Sequence, residues 1–373
     1  GERVIYIHSG LLLNAQSAEE ILGVIAHELG HLKAGHVPRR DEALRDAGTA
    51  GTLAAIAALA LAAGGAPSDA AVGVMVGGTD QAKRKLLRSF RYDEAVADEL
   101  GLEYLDKAGI SSAGLEQMMR RMAAQRALPE SRQSQYYQTH PDSAQRLAVY
   151  QDHARQDGHK SAPLSADDTK LMDRLVAKLR AYSEPAQSVL RQSAKTDSAD
   201  AIYSQAIAQY RRGDLAAAIT LMDRLSAAHP SDPFYHEFRG DILLSMAKAG
   251  AAAAAYETAL TFRPSSPQIL VNLGRALIAT NDKKRLSRAI EAISAAQKTE
   301  PKWAFIRRQL AIAYGRNGDI AAADLALAEE ALLLGDDQQA VRMAKRVLAD
   351  DRPKDALRNR ANDILFRFGK LAP

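Results

Sequence analysis

The chain has 373 residues, more than a single hydrophobic core usually holds, so two domains are expected. It is 47% hydrophobic and 25% charged, with few aromatic residues and frequent alanine, which favours helical globular domains over disorder or a sheet-rich fold. A net charge of +4, without a basic stripe interleaved with aromatic residues, argues against a nucleic-acid partner. The absence of cysteine excludes disulfides, thiolate metal sites and a cysteine nucleophile.

The first predicted elements are a short strand and a helix. Residues 3–8 alternate like a strand, and they follow a start without an initiator methionine or signal sequence, which we interpret as a trimmed or processed N-terminus. Ser17 is a plausible helix N-cap, because Glu20 follows at the spacing of a capping box. The helix is predicted to run from about Ala18 to Ala34.

This helix contains the sequence His-Glu-Leu-Gly-His from His27 to His31. Two histidines four residues apart project from one helical face and can share one tetrahedral zinc ion. Glu28 follows the first histidine and can accept a proton from a water at such a metal. The alternative interpretation is a capped surface helix in which the histidines occur by chance.

A third ligand would have to come from elsewhere in the chain. His36 lies on the opposite side of the helix from His27 if the helix continues, so we interpret His36 as structural. Glu94 lies in a second helical stretch with Asp98 four residues later, so one carboxylate could bind the metal while the other holds a ligand imidazole. Ala95 and Ala97 would let this helix pack closely against the first. Taken alone, the two carboxylates would more often belong to a solvated acidic face.

The segment between these helices is dominated by alanine, glycine and valine over residues 47–79, with a break at residues 64–67. We predict an apolar hairpin that packs in the core or contacts a membrane surface, since it holds too few strongly apolar residues to span a bilayer. A polar stretch over residues 80–88 precedes the helix of Glu94. Helical patterns over about 112–126 and 142–156 complete a first domain, residues 1–160. A lone helix near 168–182 forms the connection, residues 161–199.

Residues 200–373 repeat with a period of about 34. Pro230 and Pro264 are 34 residues apart, and Pro301 follows 37 residues later, which indicates an insertion around residues 281–285. Small residues recur in the first helix of each unit, and small and larger residues recur in the second: Ala206, Gly240, Gly274 and Ala311; Ala218, Ala252 and Ala289; Met222, Tyr256 and Ile293. This pattern resembles the tetratricopeptide repeat, an α-solenoid of paired helices. A fifth, irregular pair and a final capping helix at about 354–369 are predicted to close the array.

The combination of His-Glu-Leu-Gly-His, the later Glu94-Ala-Val-Ala-Asp98 and the repeats resembles the zinc endopeptidases related to HtpX and the CAAX prenyl proteases, and in particular their soluble, BepA-like branch. Residues 5–12 and Thr139-His140-Pro141 fit the same family. The resemblance implies a mainly α fold, in which a zincin-type metallopeptidase domain precedes the repeats. That domain would contain a small sheet, and missing N-terminal elements would truncate this sheet.

Carried over position by position, the resemblance implies that His27, His31 and Glu94 are the zinc ligands and that Glu28 is the general base. Asp98 would support a ligand histidine. His140 would lie near the metal, either as an additional ligand that gates the site or as a group that stabilises the oxyanion. Without the family, His140 would be interpreted only as a residue preceding a helix that begins at Pro141. Arg146 is a further candidate, for holding the loop that carries His140.

The implied function is a zinc endopeptidase that acts on protein clients in the bacterial periplasm, in quality control of outer-membrane proteins. The repeats would bind clients or components of the outer-membrane assembly machinery, and residues 47–79 could contact the membrane peripherally. The alternative is a chaperone or adaptor in which the repeats dominate and the zinc site is gated or latent. Another zinc hydrolase with the same motif, such as a deformylase, fits the long repeat domain less well.

Overall fold

The protein is mainly helical. A computed structural model describes residues 4–63, 68–125, 140, 144–157, 164–350 and 353–369. No strand occurs within these ranges, so the strand predicted over residues 3–8 is wrong where it can be compared: Val4–His8 carries no regular structure. A strand needs a neighbour for its backbone groups, and the described residues provide none.

The chain divides into two compact units, Gly1–Leu179 and Arg180–Pro373. The division lies inside the predicted connecting segment, and the predicted boundaries at 160 and 199 remain a prediction. The described helices of the first unit are α1 (Ser9–Asn14), α2 (Ala18–Ala34), α3 (His36–Ala63), α4 (Ser68–Ala108), α5 (Ala113–Gln125), α6 (Ala144–Asp157) and most of α7 (Ala166–Ser183).

Helix α2 begins and ends where the sequence predicts. The Ser17 hydroxyl accepts a hydrogen bond from the Glu20 backbone N–H, and the Glu20 carboxylate accepts one from the Gln16 N–H at 2.9 Å. Arg121 of α5 pairs with the same buried carboxylate, which fixes the first turn. At the other end Gly35 adopts φ +69°, a left-handed conformation that glycine adopts without strain and that ends the helix.

Helices α2 and α4 pack closely through small residues. A Cβ atom at Gly30 would lie 2.5 Å from the Ala97 carbonyl oxygen, and one at Gly101 would lie 3.1 Å from the His27 Cα. Ala97 is fully buried, as the predicted close packing requires, but Ala95 is exposed. The close contact therefore depends on Gly30, Ala97 and Gly101, and it brings the backbone of His27 next to α4.

The predicted apolar hairpin corresponds to α3 and the first part of α4. The structure differs from the prediction in one respect, because residues 80–88 do not separate two helices: α4 is continuous from Ser68 to Ala108. The predicted break at residues 64–67 lies outside the described residues. None of the helices in the described ranges combines the length and the apolar composition needed to cross a membrane.

The second unit is a series of antiparallel helix pairs, as the repeat predicts. After a short helix α8 (Ala186–Ser193), which the sequence analysis did not identify, the helices are α9 (Ala199–Arg211), α10 (Leu215–Ala228), α11 (Pro233–Ser245), α12 (Ala249–Phe262), α13 (Pro267–Ala279), α14 (Lys283–Thr299), α15 (Ala304–Asn317), α16 (Ile320–Leu334), α17 (Asp337–Leu348) and α18 (Asp355–Arg367). Val189 of α8 packs into the core of the first pair.

The recurring small residues allow the predicted close helix packing. A Cβ atom at Gly240 would lie 2.6 Å from the ring of Tyr256, and one at Gly274 would overlap the side chain of Ile293. Tyr256 and Ile293 are both fully buried, so these larger side chains fill the space that the glycines leave. The insertion in the third unit lengthens α14, which has 17 residues where α10 and α12 have 14 each.

Candidate metal centre

The imidazole rings of His27 and His31 lie on successive turns of α2 and converge on one position. His27 and His31 are 1% and 5% exposed, and their Nε2 atoms lie 3.1 Å apart. The rings meet edge to face, at an interplanar angle of 88°. The i, i+4 spacing on a straight helix produces this convergence, and the fixed first turn of α2 holds it in place.

Glu94 of α4 adds a carboxylate to the pair. Its Oε2 lies 3.3 Å from the Nε2 of His27, and its Oε1 lies 3.5 Å from the Nε2 of His31. Zinc binds imidazole nitrogen and carboxylate oxygen at about 2.0–2.2 Å, so two ligand atoms of a tetrahedral site lie about 3.3–3.6 Å apart. The separations of 3.1, 3.3 and 3.5 Å therefore suit one small metal ion.

His140 completes a group of four residues that could hold a metal. Its Nδ1 lies 3.1 Å from Glu94 Oε2, and its Nε2 lies 3.4 Å from Glu28 Oε1. One potential ligand atom from each of His27, His31, Glu94 and His140 lies within 4.8 Å of the other three. Glu28 itself is partly exposed, at 24%, so this side of the group is open to solvent while the ligand side is buried.

Asp98 lies one turn after Glu94 and supports His27 from behind. Its Oδ1 is 2.8 Å from His27 Nδ1, the nitrogen that points away from the other histidine. Arg146 of α6 donates two hydrogen bonds to Asp98, at 2.6 and 2.8 Å, and its Nη1 lies 3.0 Å from Glu94 Oε2. The Tyr150 hydroxyl also donates to Asp98. Arg146 therefore clamps the carboxylates of Asp98 and Glu94. Its predicted role in holding the loop of His140 concerns residues outside the described ranges and stays a prediction.

The cluster changes the proton affinity of its members. Burial would lower the pKa of His27, but the hydrogen bonds to Asp98 and Glu94 outweigh it and raise that pKa to about 9. Burial and the charge of His27 lower the pKa of His31 to about 3, so its imidazole is neutral. Burial would raise the pKa of Glu94, but hydrogen bonds from His140 and His27 hold it well below the usual range. A neutral imidazole and an ionised carboxylate are the forms that bind metals.

His36, predicted to be structural, lies against the cluster. Because α2 ends at Gly35 and α3 begins at His36, the ring turns back towards the cluster, and His36 Nδ1 lies 2.8 Å from His31 Nδ1. On its far side His36 Nε2 lies 3.6 Å from Asp93 Oδ1. His36 and Asp93 are both buried, so His31 is supported from behind as His27 is by Asp98.

All of the residues proposed from the sequence lie together in the structure: His27, Glu28, His31, Glu94, Asp98, His140 and Arg146. Tyr150 and Asp93 were not predicted from the sequence, and His36 was predicted only to be structural. Tyr150 follows Arg146 by four residues on α6, which is a signal for a shared face. For His36 the signal was Gly35, a typical helix C-cap that allows the chain to change direction.

Comparison with known proteins gives matches to both parts of the chain. Residues 1–154 match the family model described as Peptidase family M48. The metalloprotease LoiP of Escherichia coli (strain K12) is 33% identical over 163 residues, which are 42% of this chain and 57% of that protein. Beta-barrel assembly-enhancing proteases of Yersinia pestis and Escherichia coli (strain K12) are each 23% identical, over 85% and 74% of this chain. The chain spans 66% and 56% of the length of those two relatives.

Among solved structures, MamA from Desulfovibrio magneticus RS-1 is 19% identical, with a TM-score of 0.39, over 44% of this chain and 94% of that one. A tetratricopeptide repeat protein from Thermus thermophilus is 22% identical, with a TM-score of 0.29, over 48% of this chain and 99% of that one. The family match covers all four residues of the candidate metal group. Residues 1–154 thus match peptidase family M48, and relatives of the chain include barrel-assembly proteases whose matches extend beyond those residues.

Proposed function

We propose that the protein is a zinc-dependent endopeptidase in which His27, His31 and Glu94 hold the metal. The observation that carries this proposal is the set of separations of 3.1, 3.3 and 3.5 Å between their ligand atoms, in a buried site. Two imidazoles and one carboxylate form a donor set that suits zinc and leaves a further coordination position for water or substrate. Because the pKa of His27 is raised to about 9 without a metal, His27 would release a proton when the metal binds. Buried carboxylates and imidazoles without a metal would be costly to bring together.

The chemistry divides between the metal and the protein side chains. When bound, zinc would polarise the scissile carbonyl and promote ionisation of a water molecule. Glu28 lies on the same helix as the two histidines, and its partial exposure leaves it accessible to substrate and water. Its carboxylate accepts the proton of the attacking water and delivers it to the departing amine, as a general base and then a general acid.

Asp98 and Arg146 prepare the ligands for this chemistry. Asp98 holds His27 through Nδ1, which leaves the Nε2 lone pair directed at the metal position. Arg146 neutralises part of the charge of two adjacent carboxylates, so that both remain ionised in a buried place.

His140 controls the open side of the site in this proposal. Its ring lies between Glu28 and Glu94, so it can either occupy the remaining metal position or donate a hydrogen bond to an oxyanion. In the first case a His140→Ala substitution would raise proteolysis, and in the second case it would lower it. The two roles are therefore distinguished by the sign of one measurement.

The cellular role that we propose is proteolysis linked to assembly of outer-membrane proteins in the bacterial periplasm. Support comes from the two relatives that are named beta-barrel assembly-enhancing proteases and that match this chain on both sides of residue 154. The helix pairs of the second unit would hold a protein client or an assembly component. No specific observation favours the alternative of a chaperone or adaptor with a latent metal site.

The decisive experiment measures zinc content and casein cleavage for the chain, its Glu28→Gln variant and a Glu99→Gln control. Glu99 is an exposed residue of α4, so Glu99→Gln makes the same chemical change away from the site. We expect one zinc in all proteins and cleavage lost only in Glu28→Gln. Zinc without cleavage in any of them would favour the adaptor, and absence of zinc would reject the metal assignment.

A further inference from the structure

The apolar hairpin of the first unit, residues 47–79, has no part in the metal chemistry. Asp69 is the one charged residue of this span, whereas a quarter of the whole chain is charged. The span also lacks aromatic residues and consists mostly of alanine, glycine, valine and leucine. Such a composition provides neither the charged face of a solvated helix nor the large anchoring side chains of a protein interface.

Most of the described surface of this hairpin is exposed. Helix α4 contacts α2 through Ala97 and Gly101, near its C-terminal end. The hairpin lies at the other end of α4, where α3 packs mainly on α4. Of the α3 side chains that the structure describes between residues 45 and 58, Ala58 alone is buried. Of the two environments predicted for the hairpin, this exposure favours a surface over the core.

Three exposed apolar side chains lie at one level of the hairpin. Leu53 and Ile56 of α3 are 60% and 56% exposed, and Val76 of α4 is 55% exposed. Because only four residues separate the two packed helices, α3 and α4 run antiparallel. All three residues then lie about 10–15 Å from the helix ends that this link joins. The hairpin therefore exposes apolar side chains on both of its helices at the same height.

A basic segment follows the hairpin on α4. Residues 83–91 contain no acidic residue and five cations: Lys83, Arg84, Lys85, Arg88 and Arg91. The three arginine side chains are exposed, and one of them pairs with Asp80. The corresponding part of α3, residues 39–46, has three basic and three acidic residues, so the excess positive charge belongs to α4. A basic segment beside an exposed apolar element matches the surface of a bilayer with anionic lipids.

We propose that the apolar hairpin binds the surface of a bilayer that contains anionic lipids. Leu53, Ile56 and Val76 enter the boundary between the headgroups and the acyl chains, while the cations of residues 83–91 pair with lipid phosphates. A protein partner is the competing occupant. The lack of aromatic anchors and the apolar side chains on both helices favour lipid, which can surround the hairpin. The proposal goes beyond the proposed function, since neither zinc nor cleavage takes part.

The test measures sedimentation of the full chain with sucrose-loaded vesicles. One set of vesicles is phosphatidylcholine alone, and the other is phosphatidylcholine mixed with phosphatidylglycerol. We expect binding at low salt to be at least about tenfold tighter to the anionic vesicles, since each cation near an anionic surface strengthens binding about fivefold. Added salt should reduce this difference, because it screens exposed charges. Equal binding to both vesicles, or binding to neither, would overturn the proposal.

The charge contribution is tested with Arg88→Gln combined with Arg91→Gln. At about fivefold for each charge, this variant should bind anionic vesicles about 25-fold more weakly. The matched control removes the same charge from the second unit, through Lys283→Gln and Lys284→Gln at exposed positions of α14. The control should bind as the parent does. Equal losses in the two variants would show that only the total charge matters and would reject the hairpin as the binding surface.

The apolar contribution is tested with Leu53→Ser combined with Ile56→Ser. Binding to anionic vesicles should fall at least about tenfold, because two apolar side chains no longer leave water. Phe366→Ser is the control, since Phe366 is 70% exposed in the second unit. Circular dichroism checks that the variants are folded. Unchanged binding in the serine variant would show electrostatic attraction without entry into the bilayer, and would overturn the proposed position of the hairpin.

A direct measure of entry uses Ile56→Trp, because the chain contains one other tryptophan, Trp303 of the second unit. Anionic vesicles should shift the added emission to shorter wavelength, and lipids brominated in their acyl chains should quench it. Emission that neither shifts nor is quenched would contradict the proposal. A chain that binds vesicles but does not cleave casein would refute the proposed function and leave this inference intact.

Discussion

The two units use buried residues in opposite ways. The centre of the second unit is alanine, leucine, isoleucine and tyrosine, and its helices contact mainly the helices next to them in sequence. The first unit has small apolar clusters and buries three histidines, two aspartates, a glutamate and an arginine around one point: His27, His31, His36, Asp93, Asp98, Glu94 and Arg146. The comparison shows that the first unit depends on a buried polar network and the second on packing between neighbours.

The largest effect that we expect from this difference is that of Asp98→Asn. The substitution removes the charge that balances Arg146 and replaces the charged acceptor of His27 with a neutral amide, and breaking a buried pair typically costs about 3–5 kcal/mol. Zinc affinity should fall about 10–100-fold as well, because the ligand ring loses its support. Chemical denaturation and a zinc competition assay measure the two effects. The control is Glu103→Gln, an exposed change on α4. Equal stability and equal zinc affinity of the two variants would contradict a supporting role for Asp98.

In the proposed zinc-bound protein, removal of the metal should affect the thermal unfolding of only one of the two units. Binding of zinc at about a thousand times its dissociation constant stabilises the bound state by about 4 kcal/mol. A chelator should therefore lower the unfolding temperature of the first unit and leave that of the second unchanged, as differential scanning calorimetry can show. Restoring zinc should reverse the shift. If both transitions moved together, the units would not be energetically distinct.

In the second unit, Gly274→Ala tests the packing between helices. The added methyl group would overlap Ile293, and overpacking of this kind costs about 1–3 kcal/mol. We expect lower thermal stability of the second transition and normal zinc content. Gly250→Ala is the matched control, since a Cβ atom at Gly250 meets no atom within 4 Å. A similar loss of thermal stability in both variants would show that the close helix approach at Gly274 does not cause the destabilisation.

The smallest of these effects concerns His36, which supports His31 in the proposed metal site. His36→Phe keeps a buried ring but removes the contact of 2.8 Å to His31 Nδ1, so zinc affinity should fall about tenfold with little loss of helix content. His36→Gln should recover part of that affinity, because it can still form a hydrogen bond. Competition with a chromogenic chelator gives both values. His8→Gln, an exposed change, provides the reference, and unaltered affinity in His36→Phe would remove His36 from the site.

Much of the second unit is predictable from the pattern of its residues. The period of 34 predicts the positions of the paired helices, and Gly240 with Tyr256 and Gly274 with Ile293 indicate which side chains meet. Prediction succeeds because each contact joins residues about 15–20 positions apart in a repeated unit. Helix α8 escapes prediction, since it is short and lies outside the period.

The first unit was predictable only in part. The spacing of His27 and His31 and the cap at Ser17 are local signals, and they predict the helix and its metal-binding face. Neither the continuity of α4 nor the absence of a strand at residues 4–8 follows from local preference, because both depend on the neighbours that a segment finds. The roles of Arg146, Tyr150 and His36 likewise depend on contacts between separate helices.

By itself the sequence determined the helical class, the repeats, and the residue types that could bind a metal and activate a water molecule. Only the tertiary structure decided that His27, His31, Glu94 and His140 meet within 4.8 Å, and that Asp98, Arg146 and His36 stand behind them. The physical reason is that helical periodicity fixes which side chains share a face over a few turns. Which faces then meet is fixed by close packing over small residues, here Gly30, Ala97 and Gly101.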